Sequence, residues 1–471
     1  MTRRQHIFVW ILAAACGDDD APTSGSGEAS TSGGDRSTTG DIGGCRADET
    51  QCESSSSTEA PPTDLPPTAT CGDGVVDDGE QCDDANAIDD DECSNGCVGR
   101  CGLIGESSFG LGTGESDAIT SITVAADGTV WVGGSLNASG NGDAWFAKLG
   151  PDGDEIWSRT YNHGYGIDIV RSMVPMPDGG VVVAAVVDGP MDRDIWLGRH
   201  DANGEPSWTT LIDDSDEDII VGAAASGEQI VLVGGVRVSE YDTDVRVIAF
   251  DAEGSIVWER LLDDYGLGTS SRDYATGMAV RPTGEIVVLA DVEVDYETID
   301  SRVIELAADG TGPTFDVAPL PAFTAHQHNG CGVAIAADGR TYAAIAAPRG
   351  AIGSMYRIFE LDAMGATIRE TGAEELGLEP GGHRCTAIAI EPSGHLAVLG
   401  TRPGMTGTVD LLEVLHLDAD LEVACYGYRE SRSLETLPAT VGIAPDAAKL
   451  YVGGGKILGG AVQPWLARFR G

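Results

Sequence analysis

The residues best suited to chemistry are few and sit in three groups. The first is His326, His328 and Cys331 in AHQHNGC, with His383 and Cys385 in GHRC. Imidazoles and thiolates at such spacing can hold Zn²⁺ or Cu²⁺. In an oxidising compartment the same two sulfurs would instead join as a Cys331–Cys385 disulfide, with the histidines as surface polar groups. The second group is a run of oxygen donors: Asp73, Asp77, Asp84, Asn86, Asp89 and Asp91. Calcium takes six to eight oxygens on a flexible loop, so this segment is a candidate calcium site, although it lacks EF-hand spacing. Solvated acidic loops are the plainer reading. The third is an Asp that recurs ten residues before a turn: Asp143, Asp194, Asp244, Asp300 and Asp410. Such a residue either orders a hairpin by accepting backbone N–H groups or joins a ring of cation-binding carboxylates.

Several chemistries are excluded at this level. GxSxG, HExxH and a P-loop are absent. No nucleophile stands beside a partnered base, so no catalytic residue is assigned and a binding role is favoured over an enzymatic one. The alternative is a hydrolase or lyase using His326, His328 and His383 on one face.

These groups need a frame, and the frame is repetitive. From Ile119 the chain cycles with a period near 50 residues. Each unit holds four short β-branched or alternating runs separated by Gly or Asp-Gly turns, the signal of strands joined by hairpins. The first turn of successive units falls at Gly128, Gly179, Gly227, Gly284, Gly339 and Gly394, with a seventh at Pro445-Asp446-Ala447. Trp157, Trp208 and Trp258 each follow their unit's second turn by four residues. Four strands per unit repeated around a ring predicts an all-β, seven-bladed β-propeller over 102–471 with four-stranded antiparallel blades. The seventh unit ends after three strands. Leu103 to Phe109 is expected to supply the fourth and close the ring, removing the exposed edges.

Ahead of the ring the chain changes character. Arg3 and Arg4 precede the apolar run IFVWILAAA, which ends at Cys16. That reads as a signal peptide over 1–16, too short for a stable bilayer span. Residues 17–70 are rich in Gly, Ser, Thr, Pro and Asp and bury too little apolar surface to fold, so they are expected to act as a disordered tether. Lys and Arg total 28 against 76 Asp and Glu, a formal charge of −48. That field repels nucleic acid and favours solubility. Cys45, Cys52, Cys71, Cys82, Cys93, Cys97, Cys101, Cys331, Cys385 and Cys425 form an even set of disulfide candidates. Cys45 and Cys52 can close one small loop. With Cys331 and Cys385 paired, Cys101 and Cys425 are left for each other.

Three resemblances add to this reading. The small residues before Cys16 resemble a bacterial lipobox, which implies a lipid anchor at Cys16 and an outer-membrane or cell-surface lipoprotein, with plain secretion as the alternative. Residues 71–101 resemble the myxobacterial cysteine-rich repeat: Cys71-Gly72-Asp73-Gly74, Gly79-Glu80, Cys82-Asp83-Asp84, Asn86, Asp91, Cys93 and Cys97 match its pattern. Ala85 and Glu92 depart from it where the family has Gly. The resemblance implies a small disulfide-stapled extracellular module. The repeats resemble bacterial lipoprotein propellers with delta-type or quinoprotein-like units, which implies the fold and leaves open whether the ligand is a protein, peptide or glycan.

Overall fold

The structure is a computed structural model. It describes residues 71–76, 82–83, 85–86, 93–94, 101–109, 117–136, 141–213, 217–239, 242–262, 271–295, 298–317, 329–348, 354–378, 384–391, 394–403, 410–429, 437–443, 449–458 and 461–470.

The described residues form seven four-stranded antiparallel sheets. Their innermost strands are Ala118–Val124, Ile169–Pro175, Glu217–Ser226, Tyr274–Val280, Asn329–Ile335, Arg384–Ile390 and Leu437–Ile443. Each packs against the innermost strand of the next sheet, and the last returns to the first. The chain is therefore a closed seven-bladed β-propeller. Every inner strand carries a β-bulge near its start, as between Ile119 and Ser121 or Val170 and Ser172, which bends it toward the channel.

The second and third strands of each blade are buried on both sides, so their sequences read as apolar runs rather than alternating ones. VVVAAVVD at Val181–Asp188 is the clearest case. Fourth strands alternate because one side meets water, as in Pro206–Ile212. Leu103–Ser108 pairs with Ala461–Arg470 as the outermost strand of the seventh blade, so the N-terminal strand closes the ring as the missing fourth strand required.

The recurrent tryptophans explain how blades are fastened. In Trp157 the ring lies over Gly204 of the next blade's outer turn and its indole N–H donates to Ala202 O at 3.0 Å. Trp208 lies over Gly254 and donates to Ala252 O at 2.8 Å. Trp258 covers Gly310, and Phe315 covers Gly365. A Cβ on Gly254 would stand 2.6 Å from the Trp208 ring, and the residue has φ +82°, so only glycine serves there.

At the sixth blade the expected register needs correction. The residue aligned with Asp143, Asp194, Asp244 and Asp300 is Leu411, two before Glu413, which pairs with Gly400 as Trp145 pairs with Gly134. Asp410 lies one residue earlier. The left-handed turn residue is likewise Leu421 (φ 59°), not Asp420. The cause is the carboxylate of Asp418, which takes the amides of Asp420 and Glu422, as Asp362 takes those of Met364 and Ala366. A second set of Asp residues orders the outer turns. Asp201, Asp251, Asp362 and Asp418, three residues before the left-handed position, cap the turns.

Candidate functional site

The inner strands begin on one face of the ring, at the channel mouth, and among the described residues the connection over 162–168 leads from an outer strand to the next inner strand there. A collar of carboxylates lies there. Asp117, Asp168 and Asp273 sit one position ahead of their inner strands and Asp218 is the second residue of its own, and each is at most 1% exposed. Sequence reading missed them, yet a signal existed. Asp117, Asp168 and Asp273 each fall eleven residues before their turn glycine, and the residues at that spacing in the fifth and sixth units are His328 and His383.

The collar holds blades in place. Asp168 accepts the His163 N–H at 2.6 Å and the Asp188 N–H at 3.1 Å, while its own N–H donates to Gly142 O in the preceding blade at 2.9 Å. Asp273 repeats the arrangement, accepting the Glu293 N–H at 3.2 Å and donating to Thr243 O at 2.8 Å. Asp218 accepts from Arg246 at 2.7 Å, and Arg246 also donates to Glu259 at 2.9 Å.

On this collar rests an aromatic ladder. Trp196 stacks on Tyr161 with centroids 4.2 Å apart, and His163 and Tyr165 continue it outward at 6.5 and 5.8 Å. Tyr165 is 62% exposed. The loop that carries it is fixed at both ends, by Asp168 on His163 N–H and by Asp188 on the Ile167 N–H at 2.9 Å.

Two buried carboxylates in this region titrate far from their ordinary range. Burial raises Asp168 to about 6, against the opposing amide hydrogen bonds. Burial raises Asp291 to about 7, although Ser301 Oγ–H (2.5 Å) and the Gly330 N–H (3.1 Å) both donate to it. A carboxyl with a raised folded pKa binds its proton more tightly folded than unfolded, so each group's stability falls as pH climbs from about 4 through its folded pKa. The protein is therefore expected to gain stability on acidification from pH 7 toward 4 through these groups. Asp291→Asn should flatten that part of the profile of denaturation midpoint against pH; an unchanged slope would refute the assignment.

Of the transition-metal candidates, Cys331 and Cys385 are bonded to each other across the fifth and sixth inner strands, Cα atoms 5.7 Å apart. Neither sulfur is then a thiolate ligand. His326, His328 and His383 lie outside the described residues. Cys101 and Cys425 are also joined, with His416 beside them and its Nδ1 3.3 Å from Glu391.

In the cysteine-rich module, Cys82 pairs with Cys93. The organising group there is Asp83. Its carboxylate accepts the N–H groups of Gly72, Asp73, Gly74 and Ala85 at 2.8 to 3.1 Å, and the Ala85 amide leads in holding it below the usual carboxylate range. Of the calcium candidates, Asp73 spends one oxygen on the Val75 N–H, Asn86 packs its backbone against Gly72, and Asp77, Asp84, Asp89 and Asp91 lie outside the described residues. Gly72 (φ 94°) and Gly74 (φ 86°) let the chain wrap around Asp83. Ala85 has φ 61°, at the position where the resembling family carries Gly. Ala85→Gly is expected to stabilise the wrap by about 1 kcal/mol. Slower amide exchange at Gly72 and Gly74 would show it, and unchanged exchange would contradict it.

No family model matches the chain, and no curated protein does. Solved structures resemble its fold. Sqt1 from Chaetomium thermophilum bound to the N-terminus of the ribosomal protein L10 matches at 12% identity over 78% of this chain and 100% of that one, TM-score 0.46. The polysaccharide lyase Uly1 matches at 10% identity over 74% and 89%, TM-score 0.49. The β-propeller domain of the Trilobed protease from Pyrococcus furiosus matches at 9% identity over 75% and 94%, TM-score 0.45. Likeness at this level concerns architecture and carries nothing about activity.

Proposed function

We propose that this chain is an exported, lipid-anchored cell-surface protein that displays its propeller as a binding or scaffold module, with the channel mouth as the recognition face. The observation that carries this reading is the Tyr161–His163–Tyr165 ladder. A solvent-exposed tyrosine at its end is held by two carboxylates, Asp168 and Asp188, that fix the loop's backbone. Aromatic side chains on a pre-organised loop are suited to stacking on a protein, peptide or glycan ligand at little entropic cost. The apolar run before Cys16 and the tether over 17–70 support attachment to a membrane through Cys16.

Two measurements test the reading. Cys16→Ser should move the protein from the membrane fraction to the soluble one, and a wild-type chain found soluble would remove the anchor. Captured surface ligands should be lost on Tyr165→Ala with the fold intact. Turnover of a panel of glycoside, ester and phosphoester substrates by the wild-type protein would overturn the binding role in favour of an enzyme.

A further inference from the structure

In the first four blades an aromatic ring clasps a glycine of the next blade, and in the sixth blade Cys425 holds the clasp position. Its cross-strand partner is His416. That opposition follows from the register of Asp410–Leu417 against Val423–Arg429, so it is complete within one blade. Glu391, one residue past the inner strand of the same blade, brings its Oε1 to 3.3 Å from His416 Nδ1. Both groups are buried. A ring nitrogen of His416 and the sulfurs of Cys425 and Cys101 lie within 4.8 Å of one another. A thiol, an imidazole and a carboxylate are thus in successive contact before the seventh blade is added.

Taking an imidazole and a carboxylate out of water is costly, and a buried pair of this kind does little for stability by itself. It does suit a thiol. Only the thiolate attacks a disulfide, and a thiol in apolar surroundings keeps its proton. An imidazole beside the sulfur, oriented by a third group, removes that proton. We propose that His416, positioned by Glu391, is the general base that activates Cys425 for the thiol–disulfide exchange that closes the ring. The oxidant is a small-molecule disulfide, RSSR. His416 takes the proton of Cys425, and the thiolate attacks one sulfur of RSSR and breaks its S–S bond. Cys425 then carries –S–SR, and the expelled RS⁻ takes the proton from His416. Cys101 next gives its proton to the same imidazole and attacks the Cys425 sulfur. The bond to SR breaks, the Cys101–Cys425 bond forms, and the second RS⁻ leaves with the proton. Two cysteine thiols are oxidised and one RSSR is reduced to two RSH. Cys425 is the natural first nucleophile because its base belongs to its own blade. Cys101 lies 324 residues away in sequence, just ahead of the closing strand Leu103–Ser108. The step is independent of the anchor at Cys16 and of the channel mouth.

The test uses the full chain, reduced and then exposed to glutathione disulfide, with thiols trapped by alkylation at intervals and the bonds read by peptide mapping. The readout is the rate of forming Cys101–Cys425 divided by that of Cys331–Cys385 in the same molecules, which cancels a general folding defect. His416→Gln should lower this ratio about tenfold or more near pH 7, at or above the low end of what a positioned base contributes. The deficit should narrow above about pH 8.5, where a free thiol ionises unaided. Among the described residues the groups that face His416 are Glu391, Cys425 and Cys101. His395 is 3.8 Å from the other oxygen of Glu391, and Ala397, opposite His416 on the second strand, carries no charge. Glu391→Gln should lower the ratio less than His416→Gln, with the same narrowing at high pH. An unchanged ratio in His416→Gln, or a deficit that does not vary with pH, overturns the proposal. The first step is checked alone in Cys101→Ser. There glutathione disulfide should modify Cys425 about tenfold more slowly near pH 7 once His416→Gln is added, and equal rates would overturn the proposal without reference to ring closure.

Discussion

Replacing Cys101 and Cys425 by serine is expected to lower the stability of the ring by about 5 kcal/mol, the top of the range for disulfides, because the loop it closes is long. The bond spans 324 residues and joins the segment just ahead of the closing strand to the outer strand of the sixth blade. Its position follows the clasp rule. Cys425 pairs with His416 as Trp157 pairs with Lys148 and Trp208 with Arg199, so it holds the clasp position of its blade. The clasp needs a turn in the next blade to lie on, but the seventh blade has no continuous outer turn. The two chain ends meet there instead. Cys101 donates its N–H to Arg470 O at 3.0 Å, Arg470 returns one to Gly102 O at 2.9 Å, and Cys101 takes φ 57° like a turn glycine. A covalent bond thus replaces ring-on-glycine packing where the turn is broken. Equilibrium denaturation should show the loss, and hydrogen exchange should locate it: amides of Leu103–Ser108 should lose protection first. An unchanged midpoint together with unchanged protection of that strand would show that the closing strand holds without the staple.

Asp218→Ala is expected to cost about 3–5 kcal/mol, the range for leaving one member of a buried ion pair alone. Asp218 is 0% and Arg246 4% exposed, and they meet at 2.7 Å behind the channel mouth. Glu259 remains to Arg246 but lies toward the solvent side of the blade, so the loss falls toward the lower end if Arg246 swings outward. Asp218→Leu combined with Arg246→Met should recover most of the stability, since apolar residues of similar volume remove the desolvation cost on both sides. Denaturation midpoints of the two variants decide the matter. A single-variant loss below about 1 kcal/mol would mean that the pair is solvated, in which case it would be worth no more than a surface salt bridge.

The clasp also explains where the blades are tight and where they open. Four junctions, from the first-to-second through the fourth-to-fifth, place an aromatic ring over a glycine, and the sixth-to-seventh is sealed by a disulfide. At the seventh-to-first junction Arg468 and Tyr451 reach the Pro151–Asp152 turn, Tyr451 Oη–H donating to Pro151 O at 2.7 Å. At the fifth-to-sixth junction Arg369 and Leu421 take the places of the ring and the glycine, and a cleft of about 480 Å³ lies beside them. An Arg cannot replace an indole there because its charge must stay hydrated or paired, so it turns to Glu360 and Asp420 rather than lying flat on the turn.

Much of the architecture was determined by the sequence alone. Strand-length apolar runs, glycines at turns and the spacing between them are local properties, and a propeller repeats them seven times. A three-stranded last unit with a spare strand at the N-terminal side left one economical closure, because unpaired sheet edges are costly. The two disulfides of the ring were readable as candidates by counting. What only the tertiary structure decided is which groups face which. An Asp ahead of a strand reads the same whether it meets water or the amides of the next blade, so the eleven-residue spacing of Asp117, Asp168 and Asp273 could mark the positions but not their burial in the collar. In the same way the sequence placed Trp157, Trp208 and Trp258 on a common register but could not say that they clasp a neighbour's glycine. Contacts between blades join residues about 50 positions apart, and no local pattern records them. For that reason the cleft at Arg369 and Leu421, defined by the lack of a clasp, appeared only once the blades were side by side.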